Sequence, residues 1–171
     1  MKLTYRSFVN EGSPVRVDFL SEESTHSASV LLGCRGSEFY FCEVSISPTP
    51  GFDPDTYTLT FVITCLDEER ADADAERILD SYRGRKLIPP GEREKAIAIF
   101  GMLTNNLLDS HRPRRVEMCA YETNLPDKAL EKYHIVCDAA RRAGYEAGAA
   151  DSYRKQAMWI MVRRNELEEA T

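Results

Sequence analysis

Between Tyr57 and Cys65 two sets of side chains alternate without a break: Tyr57, Leu59, Phe61, Ile63 and Cys65 on one parity, Thr58, Thr60, Val62 and Thr64 on the other. Period-two alternation of aromatic and β-branched residues suits a pleated strand. A strand this regular needs partners and a packed face to be stable. The chain is therefore predicted to build a sheet with this strand at its centre.

The residues before it supply candidate neighbours. Val15, Val17 and Phe19 alternate with Arg16 and Asp18, which reads as a strand with one wet face, followed by a polar turn at Ser21, Glu22, Glu23 and Ser24. A short strand around Val30, Leu31 and Leu32, a turn over residues 33–37 and a strand over residues 39–46 read as a hairpin. Residues 47–55 contain three prolines, Gly51 and two aspartates, so they form a loop.

Beyond the central strand the pattern changes. Residues 67–81 open with Glu68, Glu69, Asp72 and Asp74, acids that favour a helix start, and Ile78, Leu79 and Tyr82 precede a Gly84 stop, so a helix is predicted there. A basic, proline-containing loop over residues 83–91 follows. Ala96, Ile99, Phe100, Leu103 and Leu107 then recur at helical spacing, which predicts an amphipathic helix over residues 92–110 lying along the sheet. A strand is expected over residues 116–121. A second helix starts near Asn124 and Pro126, carries Ala129, Tyr133, Val136, Cys137 and Ala140 on one face, and stops at Gly144. Strands over residues 145–150 and 158–162 close the chain, the last apolar on both faces and hence buried on both sides. The whole reads as a single α+β domain over residues 1–171, a mixed, mostly antiparallel sheet with two main helices packed on it.

Composition narrows the function classes. A formal charge of -6 disfavours nucleic acid, whose affinity comes largely from neutralised phosphates. No run approaches the roughly eighteen apolar residues of a membrane span. Nothing behind Met1 and Lys2 reads as a secretory signal. The five cysteines show no CxxC and no zinc-like pairing with His, so they read as reduced thiols of a cytoplasmic protein, with Cys42, Cys65 and Cys119 buried in strands and no metal site.

Over residues 57–163 the order is strand, basic loop, long helix, strand, helix, the pair Gly144 and Tyr145, strand, strand. That order resembles the C-terminal core of the GCN5-related N-acetyltransferase (GNAT) fold. In that family the helix after the central strand presents backbone N–H groups to the pyrophosphate of acetyl-CoA, an instance of anion binding at helix N-termini. The resemblance implies acetyl-CoA as cofactor, with Gly91 between Pro90 and Glu92 at the helix start, and Arg83, Arg85, Lys86 and Arg93 available to phosphate. Asn124, Ala129, Tyr133 and Gly144 followed by Tyr145 resemble the family's Asn, Ala, Tyr, Gly-aromatic series, in which the helix tyrosine protonates the departing thiolate of CoA. This implies Asn124 at the cofactor and Tyr133 as catalytic acid. Bacterial and phage proteins with a longer tyrosine helix ending in Gly-Tyr look similar.

The residues themselves leave alternatives open. Tyr133 lies on the apolar face of its helix, where a core tyrosine would also sit. Glu43, among Phe41, Cys42 and Val44, is a candidate base if burial raises its pKa, or a solvent-facing residue if its strand is an edge. His26, His111 and His134 have no sequence neighbours that form a triad. Arg112, Arg114 and Arg115 could grip a phosphate or an acidic partner, or simply charge a helix end and its loop. Two functions follow: a divergent acyltransferase-like protein binding a CoA thioester, or a non-catalytic domain that uses the same architecture to bind another protein. The first needs open amides at residues 91–93 and a gap between strands near Phe61 and Met118. The second needs that gap closed and an exposed apolar patch.

Overall fold

The computed structural model describes residues 4–10, 14–70, 76–79, 84, 86–121, 127–153 and 156–164. Among them nine strands form one sheet. In chain order these are β1 (Arg6–Ser7), β2 (Asp18–Glu22), β3 (Thr25–Arg35), β4 (Glu38–Pro48), β5 (Thr56–Asp67), β6 (Glu76–Leu79), β7 (Arg115–Tyr121), β8 (Tyr145–Tyr153) and β9 (Gln156–Arg163). Helix α1 (Pro90–His111) joins β6 to β7, and α2 (Asp127–Arg142) joins β7 to β8.

The sheet runs β1-β3-β4-β5-β7-β9-β8, with β2 added to β3 and β6 added to β5. The alternating strand β5 is central, as its pattern requires. All pairings are antiparallel except that of β5 with β7. The result is mixed α/β, mostly antiparallel, with two helices.

Strand parity decides the two faces. On β4, Tyr40, Cys42, Val44 and Ile46 are fully buried, and the Cys42 thiol reaches the Ala96 carbonyl of α1 at 3.8 Å. On β5, Phe61 meets Phe100 of α1 and Tyr133 of α2, so both helices cover the same face. Ala96, Ile99, Phe100, Leu103 and Leu107 of α1 are all buried, the stripe that its spacing predicts. Gly101, between them, lets α2 approach closely, since a Cβ there would lie 3.1 Å from Ile135 Cγ2. Arg112 ends α1 in the left-handed region (φ 48°), its N–H donating to the Leu108 carbonyl.

Four sequence expectations are corrected. Residues 76–79 are not helical. They form β6, which turns back on β5 and covers residues 63–66 of an otherwise unpaired edge, a tertiary gain that outweighs the acid-rich helix signal. Residues 71–75 and 80–83 of that stretch lie outside the described residues. Val15 and Val17 precede rather than form β2, and pack half-buried against the core. Cys119 is exposed, while Cys42, Cys65 and Cys137 are buried and all five cysteines are free. On β9 only Trp159 and Met161 are buried, so that strand has one buried face, not two. The hairpin turn falls within the expected residues 33–37 but is tighter, at Gly36 (φ 63°), because β3 runs on to Arg35.

Candidate cleft between strands β5 and β7

β5 and β7 pair in parallel over only three residues, Thr56 with Arg115, Tyr57 with Val116 and Thr58 with Glu117. Further along β5, residues 63–66 pair with β6. Between these stretches residues 59–62 have β4 on one side and, among the described residues, no strand on the other. β7 meanwhile stays paired with β9 through Tyr121. The two strands thus part in the middle of the sheet and leave a cleft of about 130 Å³ lined by Thr58, Leu59, Thr60, Phe61, Met118, Cys119, Lys132 and Tyr133. This is the gap near Phe61 and Met118 that the acyltransferase reading requires.

Aromatic packing fixes the helix side of the cleft. Tyr133 stacks on Trp159 and meets Phe61 edge-on, with ring centres 4.1 Å and 5.2 Å away. The Lys132 ammonium lies 5.2 Å from the centres of both the Phe61 and Tyr133 rings, within cation–π range. Tyr133 is 8% exposed, yet among the described residues its hydroxyl has no hydrogen-bond partner, and the oxygen is not sealed from solvent. The hydroxyl therefore opens into the cleft. Burial, and then the neighbouring Cys119 thiol, push the Tyr133 phenol above its usual range, so it keeps its proton at neutral pH.

The other sequence-derived candidates are not gathered here. Glu43 lies on β4, an interior strand and not an edge, between Ser29 and Val62. It faces away from both helices, on the opposite side of the sheet from the ring of Tyr133. At the start of α1, Gly91 and Lys86 are exposed. The N–H groups of Glu92 and Arg93 both donate to the Pro89 carbonyl, and Arg93 Nε donates to the Ile88 carbonyl at 2.9 Å. Glu92 places its own carboxylate in that first turn, where it accepts from Ser7 Oγ at 2.6 Å and from Lys95 Nζ at 2.8 Å. Lys95 also donates to the Val9 carbonyl, tying the helix start to the N-terminal segment. The open amides that the acyltransferase reading asked for at residues 91–93 are thus not found at Glu92 and Arg93, whose N–H groups are used by the Pro89 carbonyl, and no side chain caps them. Arg83, Arg85 and Asn124 lie outside the described residues.

A larger hollow of about 320 Å³ lies at the other end of the strand pair, lined by Phe52, Asp53, Thr56, Arg114, Arg115 and Val162. Its arginines are already engaged, Arg114 with Asp53 at 3.9 Å and Arg115 with Glu117 at 2.8 Å. Size alone does not make it the better candidate, because both of its arginines already face carboxylates of the chain. Sequence reasoning placed Lys132 and Cys119 in no site. Only the parting of β5 from β7 gives them a role, and no local spacing reports that parting.

Among the described residues, no group of three or more His, Cys, Asp and Glu could hold a metal ion, and no helix is long and apolar enough to cross a membrane. No protein-family model matches the chain, and no curated protein matches it either.

Proposed function

We propose that this chain is a divergent GNAT-like protein that binds an acyl thioester of the acetyl-CoA class in the cleft between β5 and β7. The observation that carries the reading is Tyr133, a residue 8% exposed whose hydroxyl has no hydrogen-bond partner among the described residues and is open to the gap where two parallel strands part. A donor with no protein partner is available to an acceptor on a ligand, a hydrogen bond worth about 0.5–1.5 kcal/mol net. The unpaired β5 edge at residues 59–62 offers backbone groups to an extended, amide-containing arm, as strand addition does elsewhere. A phenol that holds its proton is a donor to a departing thiolate. With the Glu92 and Arg93 amides engaged by the Pro89 carbonyl, affinity in this reading comes from the thioester arm more than from the diphosphate.

Thermal melting with S-acetylpantetheine and with acetyl-CoA tests this. Ligand at a hundredfold excess over its dissociation constant adds about 2.7 kcal/mol of stability. A rise in melting temperature with either compound supports the reading, and no rise with either at millimolar concentration overturns it.

One observation favours protein binding as a second reading. On the sheet face away from the helices, Leu66 and Ile78 are 37% and 65% exposed beside half-buried Leu31, Phe41 and Val62. A partner docked there would be released by Ile78→Lys without a change in melting temperature.

A further inference from the structure

Cys119 lines the same cleft and has no part in the transfer just described. Of the five cysteines it alone is exposed; Cys34 is half-buried and the other three are buried. Buried Met118 pairs with Trp159 on the helix side of the sheet, so by strand parity Cys119 turns to the opposite side, which no helix covers; its side chain is exposed there and lines the gap from that side. The thiol is close enough to Tyr133 to disfavour ionisation of the phenol, and the Lys132 ammonium lies over the Tyr133 ring. A nucleophile, an unpartnered proton donor and a cation therefore line one cleft of about 130 Å³.

We propose that Cys119 is an acyl acceptor, taking the acyl group of a bound thioester onto its own sulfur. This rests on the thioester reading of the cleft and adds the identity of the acceptor. In the step, Cys119 Sγ forms a C–S bond to the acyl carbonyl carbon and the C–S bond to the donor thiol breaks. The proton lost by Cys119 is matched by the proton gained by the departing thiolate, with Tyr133 placed to donate one and recover the other. One thioester replaces another and nothing is oxidised or reduced. Lys132 supplies positive charge beside the carbonyl oxygen as it becomes an oxyanion. The acylated thiol then stands in an open cleft, accessible to a second acceptor such as an amine.

The test incubates the full chain with S-acetyl-N-acetylcysteamine and reads intact mass, followed by peptide mapping, while Trp159 fluorescence reports binding. The expected result is one hydroxylamine-labile acetyl group on Cys119, formed at least tenfold more slowly in Tyr133→Phe and absent in Cys119→Ala. Binding without an adduct overturns Cys119 as acceptor and leaves the cleft reading standing. Neither binding nor adduct overturns both. Equal labelling of Cys34 marks unassisted chemistry and also overturns the proposal.

Discussion

The Tyr133 ring lies face to face with the Trp159 indole, 4.1 Å between centres and 7° from parallel. Through Phe61, which also meets Phe100 at 5.3 Å, this pair links β9, α2, β5 and α1 in one aromatic chain. It holds α2 against the sheet at the point where β5 and β7 have parted. Trp159 is 3% exposed, so Trp159→Ala removes a large packed side chain at the centre of the fold. The expected loss is about 3–5 kcal/mol in urea denaturation followed by circular dichroism.

Two buried tyrosines should respond differently to loss of their hydroxyls. Tyr145 Oη donates to the Pro113 carbonyl at 2.7 Å, so Tyr145→Phe should cost about 1 kcal/mol. Tyr133 Oη has no partner among the described residues, so Tyr133→Phe should leave stability within about 0.5 kcal/mol of the parent. Equal losses in the two variants would place a hidden partner on Tyr133.

Burial pushes the Tyr145 phenol up to about 12, with Arg163 and Arg112 opposing. The unfolded chain releases this proton near its ordinary value of 10.0. Stability from this group is whole below pH 10 and falls as pH rises toward 12, because the unfolded state ionises first. Stability measured across that window should fall less steeply in Tyr145→Phe.

At the far end of α1, His111 stacks on His26 of β3, with ring centres 3.8 Å apart. Burial and then His26 lower the His111 pKa from 6.5, so the folded state favours its neutral form. A base with a depressed folded pKa contributes stability that is whole above pH 6.5 and is lost as pH falls below it. His26→Gln removes the like charge, and the acid limb of the stability profile should flatten.

Gly33 holds β1 against β3. A Cβ at this position would lie 2.3 Å from the Arg6 carbonyl oxygen and 2.6 Å from Tyr5 Oη, and backbone cannot yield cheaply. Gly33→Ala is expected to cost about 2 kcal/mol in chemical denaturation.

Much of the architecture was legible because its signals are local. The alternation in β5, the helical stripe of α1 and the stop at Gly144 (φ 92°) each follow from a few adjacent residues. The reading failed where distant pairing decided the outcome. β6 became a strand because residues 63–66 offered it an edge, which acids near its start do not reveal. Cys119 is exposed because strand parity turns it away from the helices that cover Met118, and nothing in residues 115–121 marks which parity they cover. Tyr133 was legible as a buried helix residue. Its unpartnered hydroxyl depends on what α2 does not meet across the gap. Glu43 was read as a base or as an edge residue, and its interior strand settles only that it is not on an edge.

The central claim is that the gap between β5 and β7 receives a thioester. Trp159 is the sole tryptophan and stacks on the cleft tyrosine, so its fluorescence during titration with S-acetylpantetheine is the most direct measurement. The account predicts a saturable change in emission that disappears when Cys119→Phe fills the cleft. Emission that stays constant to millimolar ligand, or that changes equally in the filled variant, would contradict it.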